Sequence, residues 1–254
     1  MQSGFYNEVV RRLAKYKRHE SLSDYVNNKS LDLCVKVIEG KANSREGLEY
    51  YLKEKYHQRF SAKIKWFMPK LVALCLSGGE VLAVVGVQSA ETVPLCLEKY
   101  LAEPVDVLIN SQGCANSSVS RKRIVEVGNF ASSHSSSNPL LLYCLTAYLY
   151  GSGYEWMVFT VLPSFKKMIL RMGLDICHLG VAEKECLESD EKLMWGSYYE
   201  KVPEVCAGSL VQAYKEISPF LSEDNSLACK LWQEAYELGR SSVKGKDFKW
   251  GVNG

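Results

Sequence analysis

Two polar groups sit where an apolar strand has no ordinary use for them. In the run Arg123-Ile124-Val125-Glu126-Val127-Gly128-Asn129-Phe130-Ala131-Ser132, the residues around Glu126 and Asn129 are apolar and rich in β-branching. That is the composition of a central β-strand. An unpaired charge or amide buried there costs several kcal/mol in order of magnitude, so each needs a partner or a task. A carboxylate desolvated in this way has a raised pKa and can act as a general base toward an amine, or hold an ammonium group. The alternative is a strand carboxylate paired with Arg or Lys. After the strand, Ser132-Ser133-His134-Ser135-Ser136-Ser137-Asn138-Pro139 reads as a polar loop, and 140–150 as an apolar helix. Strand, loop and helix start place free backbone N–H groups beside a strand end.

Other candidate groups are scattered. Glu98, in Leu95-Cys96-Leu97-Glu98-Lys99-Tyr100-Leu101, can face a cleft beside Tyr100 or face solvent from a short amphipathic helix. Thr160 ends an apolar run and can donate to an oxyanion or a leaving thiolate. Trp195, Tyr198 and Tyr199 can line an apolar pocket or supply a phenolic acid, or can pin later helices to the core. Arg59, Lys65 and Lys70 can meet a phosphate or an acidic partner, or form a solvated basic edge. His134 has no G-x-S-x-G nucleophile elbow to serve, and His178 lies in a strand pattern and is read as core. The nine cysteines are odd in number and contain no Cys-x-x-Cys pair, so they are read as small hydrophobes and no metal site is expected.

The elements that must position these groups follow from periodicity. Residues 4–18 have apolar residues at helical spacing with Arg and Lys between them, a basic amphipathic helix that can lie on a membrane or dock on its own domain. A strand is expected at 31–38 and a helix from Asn43 or Ser44 to about Arg59. Apolar runs at 71–76 and 81–87 flank Ser77-Gly78-Gly79-Glu80 and read as a hairpin. Short helices are expected at 95–101 and 105–109, then a polar loop at 111–120. The strand at 123–131, helix at 140–150, strand at 156–161, helix at 163–172 and strand at 176–181 make a β-α-β-α-β run, which implies parallel strands. Helices at about 204–217 and 223–239 follow, and the tail 241–254 reads as disordered. The expected organisation is 1–42 packed on the core, 43–182 the core, 183–240 a helical addition and 241–254 the tail.

A formal net charge of +2 with dispersed Lys and Arg argues against nucleic acid. No apolar run approaches the ~18–20 residues that span a bilayer, and the first eight residues lack a signal-peptide pattern. The expected location is the cytoplasm, with peripheral membrane contact through 4–18.

The order Phe67-Met68-Pro69, Leu95 to Leu101, Val125-Glu126-Val127-Gly128-Asn129, Gly153-Tyr154-Glu155-Trp156 and Trp195-Gly196-Ser197-Tyr198-Tyr199 resembles the bacterial thermostable hemolysin family over roughly 45–215. That family in turn resembles the GCN5-related N-acyltransferases and the acyl-homoserine-lactone synthases. The resemblance implies an α+β fold. Its mixed sheet would be splayed between parallel strands at 123–131 and 155–161, with helices on both faces and extra C-terminal helices. It implies acyl transfer from a pantetheine thioester to a small-molecule amine, with Glu126 as base. The donor is acyl-CoA or an acyl-carrier protein, a co-substrate rather than a tightly bound cofactor. Glu98 and Thr160 are the further catalytic candidates. Phe130, Asn129, Ala131, Ser132 and Arg59 would meet the donor; Asn129 can instead stabilise a β-bulge. Tyr100, Phe67, Trp195, Tyr198 and Tyr199 would meet the substrate. The loop Ser132–Asn138 departs from the glycine-rich pyrophosphate cradle of acetyltransferases, which favours a longer acyl donor over acetyl-CoA. A second class of activity, direct membrane lysis without turnover, is what the family name implies, with 4–18 as its amphipathic surface; a third is a non-catalytic module of this fold that binds a carrier protein.

Overall fold

The computed structural model describes residues 33–40, 43–91, 94–115, 117–135, 137–221 and 227–243. The expected helix at 4–18 and most of the expected tail lie outside them. One mixed sheet organises the rest, its strands being β1 (Leu33–Glu39), β2 (Lys70–Leu76), β3 (Val81–Ser89), β4 (Ile124–Ser132), β5 (Trp156–Val161), β6 (Cys177–Val181) and β7 (Glu204–Ser209). Their spatial order is β1-β2-β3-β4-β5-β7-β6. Every adjacent pair is antiparallel except β4 and β5. The β2–β3 hairpin forms as the sequence predicts, and its strands, buried on both faces, read as continuous apolar runs.

The helices are α1 (Asn43–Phe60), α2 (Val105–Ser111), α3 (Ser137–Gly151), α4 (Pro163–Arg171), α5 (Ser189–Met194), α6 (Leu210–Leu221) and α7 (Leu227–Val243). One face of the sheet is covered by α3, α4, α6 and α7, the other by α1 and the segments around 95–109 and 187–199. Helix α7 lies closely on α3. A Cβ at Gly239 would stand 2.2 Å from the Tyr148 carbonyl, so only glycine lets the two backbones approach there.

Two departures from the sequence reading matter. Residues 204–209 are not the start of a helix but β7, inserted between β5 and β6. Val205 and Ala207 enter one core and Cys206 the other, so the strand is buried on both faces and carries no polar alternation to mark it. The segment after 183 is thus part of the sheet as well as a helical addition, and β5 is parallel to only one neighbour. Helix α3 starts at Ser137, inside the expected loop.

The geometry at β4 sets the site. Pairing with β5 runs from Ile124↔Trp156 to Val127↔Phe159 and goes no further, although β4 continues to Ser132. The two parallel strands therefore diverge. On its other edge, β4 pairs Gly128 with Gly86 and Ala131 with Val84. Three steps along β4 answer two along β3, which is a β-bulge, and Asn129 within it has φ +48°.

Candidate active site

A cavity of about 640 Å³ opens where β4 and β5 part. Glu126 and Thr160 lie on its α1 side, with Tyr56, Tyr100, Trp195, Tyr198 and Tyr199. Toward the opposite face its wall is apolar: Leu142 and Leu145 of α3, Met157, Phe159 and Val161 of β5, Phe165 and Ile169 of α4. The cavity thus reaches from one core to the other through the gap in the sheet.

Glu126 is 3% exposed. One carboxylate oxygen accepts the Cys96 N–H at 2.7 Å, the other the Leu97 N–H at 3.1 Å. These are the first amides of a 3₁₀ turn, Cys96–Tyr100, whose carbonyls point the other way. No salt bridge reaches Glu126 among the described residues. Burial pushes its carboxyl up to about 7, the two amide bonds opposing. It is therefore poised between acid and base near neutral pH.

Glu98, on the same turn, has a different fate. It does not line this cavity. Arg121 grips both its oxygens at 2.6 and 2.7 Å, and the Leu95 and Val105 amides donate to it at 2.8 and 3.1 Å. Burial raises its pKa, but the Arg121 bonds and the amides outweigh it and hold the carboxyl below the usual value. The structure makes Glu98 the fastener of the 95–105 segment rather than a neighbour of the reacting space.

Asn129 is likewise occupied. Its Oδ1 accepts the Met68 N–H at 2.8 Å and its Nδ2 donates to the Trp66 carbonyl at 3.3 Å. This fixes the segment after α1 across the bulge. Met68 then wedges against Gly86 and Gly128, where a Cβ would stand 2.7 Å from Met68 Cβ and 2.6 Å from Met68 Cε. Arg45 completes the clamp through the Met68 and Pro69 carbonyls. Asn129 thus sits in the bulge and also lines the cavity.

The hydroxyls of Tyr100 and Tyr199 lie 2.5 Å apart, and burial raises the pKa of each. Both remain proton donors. Trp195 meets Tyr56 edge-on, Tyr198 meets Phe60 edge-on, and burial lifts Tyr56 to about 12. This cluster ties the end of α1 to the 195–199 segment and walls the cavity at once. Phe130 meets Phe165 edge-on at 4.4 Å, and Ala131, Ser132 and Phe67 complete the wall. Arg59 is at the mouth with Lys55 and Lys65, its guanidinium over the Phe60 ring. Lys70 is elsewhere, paired with Glu39 and lying over the Tyr148 ring. His178 is no core residue: its ring is half-exposed and Nδ1 lies 2.8 Å from Glu204.

The cavity thus gathers the sequence-nominated site residues except Glu98 and Lys70. Sequence reasoning missed Cys96, whose amide holds Glu126, and Met68, whose role no local pattern shows. It also missed Tyr56, which walls the cavity from α1.

A family model described as thermostable hemolysin matches residues 38–214. Among solved structures, the chain is similar to FeeM, an N-acyl amino acid synthase from uncultured soil microbes. Identity is 12%, coverage 73% of this chain and 94% of that one, and the TM-score 0.51. It is also similar to the acyl-homoserine-lactone synthase LasI, with 14% identity, coverage of 71% and 91%, and a TM-score of 0.48. TofI, in a ternary complex with an inhibitor and MTA, gives 13%, coverage of 81% and 99%, and 0.47. No curated protein sequence matches the chain. At these identities the likeness to FeeM is one of fold.

Proposed function

This chain belongs to the thermostable hemolysin family, and from that premise we propose that it is an N-acyltransferase using a long-chain pantetheine thioester. The observation that carries the reading is the buried, amide-held Glu126 at the wall of a cavity that passes between two diverging parallel strands. A pantetheine arm is itself amide-rich and extended, and suits the strand edge left by the divergence. The likeness of fold to an N-acyl amino acid synthase supports the same class.

In this mechanism the acyl chain lies in the apolar limb between α3 and α4, and the thioester carbonyl lies near the gap. The acceptor amine approaches from the Glu126 side. As its nitrogen bonds to the carbonyl carbon, Glu126 takes the ammonium proton, directly or through water. The carbon–sulfur bond then breaks, the sulfur leaves as the thiolate, the hydroxyls of the Tyr100–Tyr199 pair, kept protonated by burial, offer it a hydrogen bond, and Glu126 passes its proton to solvent. Thr160 donates to the oxyanion. Arg59 and Lys65 meet the donor's phosphate at the mouth. Most of the acceleration is positioning in a water-poor gap.

The test is thiol release from dodecanoyl-CoA and from a dodecanoyl acyl-carrier protein, each with a panel of amines and amino acids. The reading expects amine-dependent release with at least one donor, lost in Glu126→Gln. Silence with both donors, or a folded Glu126→Gln that keeps full turnover, refutes it.

A further inference from the structure

On the outer edge of the sheet, away from the cavity, three side chains of different donor type converge. His178 on β6 and Cys206 on β7 are direct cross-strand partners. Glu204 lies two residues before Cys206 and therefore on the same face of β7. His178 nitrogen, a Glu204 carboxylate oxygen and Cys206 Sγ all lie within 4.8 Å of one another. None of the three lines the cavity. Lys166, from α4, reaches over the same group and donates to Glu204 at 2.5 Å.

We propose that His178, Glu204 and Cys206 form a binding site for a single Zn²⁺ ion. One nitrogen, one carboxylate oxygen and one sulfur are a mixed donor set that suits a borderline-soft ion, and excludes Mg²⁺ and Ca²⁺, which take oxygen. Tetrahedral bonds of about 2.0–2.3 Å set ligand atoms about 3.2–3.8 Å from one another. The His178 Nδ1 and Glu204 oxygen, now 2.8 Å apart, must give up their contact and open slightly, and the Cys206 Sγ side of the group, which spans up to 4.8 Å, must close by about 1 Å. The mobility for that lies on the right side. Cys206 is fixed in the core, while His178 is 49% exposed and can turn. The solvent side of His178 leaves the fourth position for water. On binding, the Cys206 thiol gives its proton to solvent as the sulfur–zinc bond forms, and His178 binds as neutral imidazole. The Lys166 ammonium now holds the carboxylate that the ion would take, so it must be displaced to water. Lys166 is therefore the competitor of the metal, and that gives the site a signature a chance cluster lacks.

The full chain, without a histidine tag, is titrated with Co²⁺ and then displaced with Zn²⁺. The expected result is one equivalent with a thiolate-to-cobalt charge-transfer band in the near ultraviolet. Cys206→Ser loses the band and weakens Zn²⁺ binding by roughly 100-fold, and His178→Ala weakens it by roughly 10- to 100-fold. Lys166→Met strengthens it by roughly three- to tenfold, the reach of one partly exposed ion pair. Because His178 and Lys166 are not core residues, these two variants keep the test decisive if Cys206→Ser fails to fold. Absence of the band at millimolar cobalt, its survival in His178→Ala, or weaker binding in Lys166→Met overturns the proposal.

Discussion

Replacing Glu126 by Gln keeps the shape of the side chain and removes its charge, so it separates the electrostatics of the site from its packing. In the folded chain burial outweighs the Cys96 and Leu97 amide bonds and lifts the carboxyl from 4.5 to about 7. A raised folded-state value means that the folded chain holds the proton more tightly than the unfolded one. The stability this proton contributes is complete below about pH 4.5, falls as pH rises, and is gone above about 7. The rise corresponds to about 3 kcal/mol. The Gln variant has no such slope, but its Nε2 faces one of two N–H donors and leaves that donor without an acceptor, a cost of about 1–3 kcal/mol at every pH. The variant should be the less stable protein at pH 5 and should draw level with or pass the parent by pH 8. Urea denaturation at intervals from pH 4.5 to 8.5 measures this, the difference between the two changing by about 3 kcal/mol. Turnover gives an independent reading. Parent kcat/KM should rise tenfold per pH unit up to about 7 and then level, while the variant loses about 10²–10⁴-fold and keeps no such limb. A stability difference constant with pH refutes the assignment of a raised carboxyl, whatever the activity does.

Gly86→Ala should cost more than Gly128→Ala, roughly 3 against 1 kcal/mol by urea denaturation. The first meets the fixed Cβ of Met68 and the Asn129 oxygen, the second only the flexible methyl end; the reverse order would show that Met68 is not the wedge. Phe165→Trp, narrowing the apolar limb, should raise KM for a twelve-carbon donor by about tenfold or more and leave an acetyl donor unchanged. Room for two methylenes is worth about 1.6 kcal/mol. Tyr100→Phe and Tyr199→Phe should each cost about 1 kcal/mol and the double variant little more than either, since the hydroxyls bond each other; full additivity in chemical denaturation would argue that the two bond elsewhere.

Much of the fold is legible because its central strands are long apolar runs closed by turn residues. The β2–β3 hairpin and the paired β4 and β5 are of that kind. Strand β7 is not. Its residues Glu204-Val205-Cys206-Ala207-Gly208-Ser209 are short and largely small, and flow into a helix with a clear apolar face. Nothing local marks the change, and only the empty place between β5 and β6 requires a strand there. The bulge in β4 is hidden for a similar reason. The register of Gly86 against Gly128 is a property of two chains, and Met68, the side chain that needs both glycines, comes from neither strand.

The two carboxylates show where local reading ends for chemistry. Glu98 and Glu126 look alike in sequence, each an acid in an apolar run, and both prove to be bound to backbone amides around the same turn. What separates them is one cation. Arg121 lies 23 residues from Glu98 and reaches it with two bonds, so Glu98 stays ionised and structural. Glu126 receives two amides and, among the described residues, no salt bridge, and burial decides its proton affinity. Arg121 and Arg123 flank the start of β4, and the chain commits Arg121 to the turn. Arg123 faces Glu155 and the Gly153 carbonyl. Among the described residues no salt bridge reaches the carboxylate in the gap, and a buried carboxylate held by amide dipoles binds its proton more tightly than one gripped by a guanidinium.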